Sequence, residues 1–121
     1  MKANVVEKTV SFPFCGKTYP LKATMNVEAD IQENLGNIGE ALSNNKSFRN
    51  LITMLTILLN EAVDIHNDQN EDQWEHLSER FVGRQISHDD AKHITDVIVQ
   101  VFTGSRPEAT DEDEAAPNLR A

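Results

Sequence analysis

Between Phe48 and His66 the chain reads FRNLITMLTILLNEAVDIH, and its apolar residues recur at the spacing of one helical face. Phe48, Leu51, Ile52, Leu55, Leu58, Leu59, Ala62 and Val63 fall three or four residues apart. Met54 and Ile57 widen the stripe, so only Thr53 and Thr56 interrupt the apolar run from Leu51 to Leu59. A helix apolar over most of its circumference needs cover on more than one side, which makes 48–66 the predicted central helix. Ser47 stands at its N-cap, with a hydroxyl able to accept a free backbone N–H of the first turn. The uninterrupted apolar part is far shorter than the roughly 20 residues a membrane span needs, and Arg49, Asn60, Glu61 and Asp64 flank it. The expected placement is outside any membrane.

Upstream, the period changes from three-and-four to two. Val6, Val10, Phe12 and Phe14 alternate with polar residues, as do Tyr19, Leu21, Ala23 and Met25, so 5–25 reads as a β-hairpin. With Cys15-Gly16 as a two-residue turn, Phe12 faces Tyr19 and Val10 faces Leu21, all on one apolar side. Asn26 is then the expected cap of a short helix to about Leu35, with Val27, Ile31 and Leu35 stacked and Gly36 as the stop. Ile38, Ala41 and Leu42 continue with a further helical turn or two before the polar link Ser43 to Lys46. After the central helix comes an acidic link, Asn67 to Asp72. Trp74, Leu77 and Phe81 then predict another helix, ended by Gly83. Ser87 with Asp90 resembles a capping box opening a last helix that turns Ala91, Ile94, Ile98, Val101 and Phe102 to the core. From Gly104 onward almost nothing is available to bury, and a disordered tail is expected.

The predicted class is therefore α+β and mainly helical: an N-terminal hairpin packed on a small bundle of about four or five helices. Residues 1–103 form one expected domain, divided into the hairpin 5–25 and a bundle 26–103 around helix 48–66, with 104–121 as an acidic tail.

Charge and composition narrow the function. The formal net charge of −9 argues against nucleic acid as a partner. A last helix read as a DNA-recognition helix fails on the same ground, since Asp89, Asp90 and Asp96 outnumber Lys92. The single cysteine, Cys15, permits no intramolecular disulfide and no cysteine-based zinc site, and no apolar segment follows Met1-Lys2 as a secretion signal would. An intracellular setting fits both. Asp64 to Glu79 carries six acids and no Lys or Arg. Within it Asp68, Asn70, Asp72 and Glu79 occupy positions 1, 3, 5 and 12 of a calcium-loop pattern. Position 6 needs Gly for the turn and holds Gln73, and position 8 holds Glu75, so a solvated acidic linker is preferred and no metal is assigned. His88 and His93 fall on different helix faces, and the four histidines read as solvated surface residues. Cys15 lacks a base and an oxyanion site in sequence, and glycine-rich phosphate loops, HExxH and serine elbows are missing. The reading is a non-enzymatic protein without cofactor.

The order of features resembles the tail assembly chaperones of long-tailed bacteriophages and prophages. The resemblance runs over about residues 10–103. It is carried by Gly16-Lys17-Thr18-Tyr19-Pro20-Leu21, by Leu35-Gly36-Asn37-Ile38-Gly39-Glu40-Ala41-Leu42, and by the central helix ending Leu58-Leu59-Asn60-Glu61-Ala62, with the Ser-capped helix from Ser87. It implies an assembly factor in the cytoplasm of a bacterial host that binds the tape measure protein and helps recruit major tail tube subunits. The rival reading is a small helical adaptor or regulator. On the chaperone reading, a groove beside the central helix is expected to stay partly open. It would be lined by residues such as Met54, Ile57 and neighbours from the last helix, with an acidic rim from Asp64 through Asp68 to Asp72 that favours a Lys-flanked guest.

Overall fold

The computed structural model describes residues 9–43 and 47–104. The expected tail beyond Gly104, residues 5–8 of the first hairpin arm and the link Asn44 to Lys46 lie outside the described residues. Strands β1 (Val10–Phe14) and β2 (Lys17–Leu21) form an antiparallel pair in which Val10 faces Leu21 and Phe12 faces Tyr19, as the alternation predicts. Cys15 and Gly16 both take positive φ, 51° and 84°, the twist that joins two strands through two residues. Five helices follow: α1 (Met25–Leu35), α2 (Ile38–Ser43), α3 (Phe48–Gln69), α4 (Glu79–Gln85) and α5 (Ala91–Gly104), with a 3₁₀ turn at His88–Asp90 before the last. The fold is α+β and mainly helical.

The central helix is α3, and it runs three residues past the predicted end, to Gln69. Its 22 residues span roughly 33 Å. Ser47 caps it by accepting from Asn50 N–H at 3.2 Å. Leu51, Met54, Leu55, Leu58, Leu59, Ala62 and Val63 are buried, and α1, β2, α4 and α5 all pack on this helix. Its two buried threonines are both hydrogen-bonded, one locally and one across to α4. Thr56 donates back to Ile52 C=O at 2.7 Å, and Thr53 donates to the Glu79 carboxylate at 3.1 Å. From α5, Ile94, Val97, Ile98, Val101 and Phe102 complete the core.

Three local expectations are corrected. The cap of α1 is Thr24, not Asn26. The Thr24 hydroxyl accepts from Val27 N–H at 3.2 Å and donates to Glu61 on α3 at 2.7 Å, a tertiary partner that fixes the helix start two residues earlier. Trp74 and Leu77 are not on a helix. Residues 73–78 run extended along α3, and α4 begins only at Glu79, capped by Ser78 accepting from Phe81 N–H. Gly83 lies inside α4 rather than at its end, where a Cβ would stand 3.3 Å from Ile52 Cδ1. Its lack of a side chain serves a close helix–helix approach. Gly36 does stop α1, at φ 83°, with its N–H donating to Gln32 C=O.

Candidate partner-binding groove

The apolar stripe of α3 is treated differently at its two ends. Over its C-terminal half it is closed by the extended strap 73–78. Asn60 and Asn67, seven residues apart on one face, each clasp one strap residue with both amide atoms. Leu77 N–H donates to Asn60 Oδ1 at 2.7 Å and Asn60 Nδ2 donates to Leu77 C=O at 2.9 Å. Trp74 N–H donates to Asn67 Oδ1 at 2.8 Å and Asn67 Nδ2 donates to Trp74 C=O at 3.0 Å. The fit is metric: seven helical residues rise about 10.5 Å and three extended residues span about 10 Å. Two His–Asp contacts add to the seam, His76 to Asp64 at 2.6 Å and His66 to Asp72 at 3.1 Å. The His66 ring stacks on Trp74 with centroids 3.7 Å apart, and Trp74 meets Tyr19 edge-on at 5.3 Å. His66 is therefore no solvated histidine: its side chain is only 17% exposed. The strap also walls a mixed polar and apolar cleft of about 370 Å³ with Cys15, Lys17 and Tyr19 of the hairpin. Burial, with a smaller contribution from the nearby Cys15, holds the Tyr19 phenol above its ordinary pKa.

Over its N-terminal half, α3 meets an apolar groove of about 190 Å³. Phe48, Leu51 and Ile52 form one wall, Gly83 and Ile86 the second, and Ser87, His88 and Ala91 the far rim. Local structure explains the opening. Gly83 lets α4 approach Ile52 closely, then the chain leaves the helix at Ile86 with extended backbone (φ −116°, ψ 150°), so the 3₁₀ turn stands off from α3. Phe48 projects at the rim, 50% exposed, with the His88 ring in a T-shaped contact at 5.3 Å. The polar groups at the mouth are engaged elsewhere. Asp90 accepts from Ser87 N–H at 2.8 Å and from Ser87 Oγ at 3.1 Å, while Glu79 binds Arg49 at 3.3 Å as well as Thr53. The Ser87 hydroxyl is thus tied to Asp90. The arrangement offers an apolar surface to bind against.

The residues expected to form the site are not brought together. Met54 is 2% exposed, belongs to the core and is not among the residues that line this groove. Ile57 is half-buried and lies outside the groove lining. Asp64 and Asp68 sit 16 and 20 residues beyond Phe48 on α3, roughly 24 and 30 Å along its axis, so the expected Asp64–Asp68 rim does not border this groove. Asp64 is instead held by His76. The calcium pattern is likewise spread out: Glu79 turns to Arg49 and Thr53 near the start of α3, far from Asp68 in its last turn. Ala91 lies on the last helix, where further lining is expected, whereas Gly83, Ile86 and His88 fall outside the expected lining. Their signal was the Phe48–Ile52 pair, one turn apart, opposite a glycine followed by Ile86.

Comparison with family models, with curated proteins and with solved structures finds no match to this chain. Among the described residues no helix is long and apolar enough to cross a membrane, and no three His, Cys, Asp or Glu side chains gather as a metal site would require. The groove is the feature on which a functional reading turns.

Proposed function

We propose that this protein is a non-enzymatic tail assembly chaperone of a long-tailed phage or prophage. It holds amphipathic helices of the tape measure protein in the groove between α3, α4 and the 3₁₀ turn, and helps bring tail tube subunits to them. The observation that carries the reading is the open apolar groove with Phe48 half exposed at its rim, since a surface of this kind takes the apolar face of a helix through anchors one turn apart. The resemblance in the order of hairpin, Leu35 to Leu42 segment and central helix supports the identity of the guest.

Co-expression with the long helical protein encoded beside it tests the proposal. The expected result is a soluble complex that survives moderate salt and is lost on Phe48→Ser. A neighbour equally soluble alone, with no complex formed, would replace the chaperone with a small helical adaptor.

A further inference from the structure

Three arginines occur among the described residues, Arg49, Arg80 and Arg84, and all three belong to the elements that wall the groove. In a chain of net charge −9 that placement is selective. Arg49 follows Phe48 on the first turn of α3. Arg80 and Arg84 stand one turn apart on α4, flanking the Gly83 that forms the groove wall. Both are exposed and neither has an ion-pair partner among the described residues. The acids nearby are largely committed. Glu79 is shared by Arg49 and Thr53, and Asp90 is bonded to Ser87, which leaves Asp89 on the opposite rim. Lys92 is engaged with Asp96 at 3.2 Å. The groove therefore has a cationic bank along α4 and a weakly acidic one at the 3₁₀ turn.

We infer that the groove takes an amphipathic helix whose apolar stripe is flanked, on the side facing α4, by Asp and Glu. This rests on the groove being the guest-binding surface, and it reverses the Lys-flanked guest that the acidic stretch Asp64 to Asp72 implies. Arg80 and Arg84 select the guest and its direction, because only one orientation brings a one-sided acidic flank against α4. The net negative charge of the chain disfavours acidic partners that lack the apolar stripe to seat them.

The test uses two designed amphipathic peptides of about 18 residues with the same leucine stripe, one flanked by Glu and the other by Lys. Binding to the full chain is measured by titration calorimetry, alongside Arg80→Glu/Arg84→Glu, whose fold is checked by circular dichroism. The Glu-flanked peptide is expected to bind the wild-type chain about fivefold more tightly, the size of two exposed ion pairs, and the double variant to invert that order. Equal affinity for both peptides, or preference for the Lys-flanked one, would overturn the charge assignment and leave the groove reading standing. Binding of neither peptide would remove the groove reading itself.

Discussion

The two halves of α3 carry the same apolar stripe and reach opposite outcomes. At the C-terminal half, Asn60, Asp64, His66 and Asn67 hold a strap in which the backbone N–H and C=O of Trp74 and Leu77 are met by side-chain amides, so an extended segment can lie against a helix with those groups paired. At the N-terminal half the corresponding positions are Phe48, Arg49 and Ile52, which offer a chain no such partners. The segment that could have covered them, Ile86 to Asp90, instead bonds to itself through Asp90 and Ser87. An extended segment closes an apolar helix face where polar residues beside it can satisfy the backbone that does the closing. Where they are missing, the face stays open to a helix, which brings its backbone already satisfied.

Breaking the closed half should have the largest effect. Asn60→Ala with Asn67→Ala leaves four backbone groups of Trp74 and Leu77 unmatched. Stability should fall by about 3 kcal/mol, on the order of 10 °C in melting temperature. Emission from Trp74, the only tryptophan, should shift to the red as the strap lifts. A melting point unchanged within about 2 °C would mean that the clasp contributes little.

The open half should respond in the opposite way. Phe48→Ser is expected to change stability by less than about 0.5 kcal/mol, because the ring is already half exposed, yet to weaken guest binding about tenfold. Gly83→Ala should act more gently. Its Cβ would meet the tip of the half-buried Ile52 side chain at 3.3 Å, which can move toward the groove. The better helix propensity should leave a net gain of about 0.5 kcal/mol, with binding weakened a few-fold as the groove narrows. Denaturant melts and calorimetry on the two variants separate these effects.

The smallest effect concerns Tyr19 at the edge of the strap. Its folded pKa lies above the ordinary tyrosine value of 10.0, so its contribution to stability is complete below that pH. It should be lost as pH rises through the higher folded value. As the only tyrosine it can be followed by ultraviolet titration, and Tyr19→Phe should flatten this part of the stability profile. An unaltered profile would show that the phenol does not feel its burial.

The hairpin, its register and the central helix were legible because their signals are local. Alternation around Cys15-Gly16 admits one pairing, and a stripe of Leu and Ile after Ser47 admits one helix start. The strap was not legible, because Trp74, Leu77 and Phe81 share helical spacing while the conformation of Trp74 and Leu77 is dictated by Asn60 and Asn67 across the fold. The groove was legible only in kind. An uncovered flank of the central helix follows from its apolar circumference, but its position depends on where α4 ends and how closely Gly83 lets it approach, which no local pattern encodes. Met54 was misplaced for the same reason.

The central claim, that guests bind at the open half of α3 while the closed half stays shut, is met most directly by NMR titration of the full chain with the Glu-flanked amphipathic peptide. Saturable shifts are expected at Phe48, Leu51, Ile52, Gly83, Ile86 and Ala91, with the Trp74 indole and the Asn60 and Asn67 side-chain amides unmoved. Shifts centred on Trp74 and the asparagine amides, with Ile52 and Ile86 silent, would contradict the account.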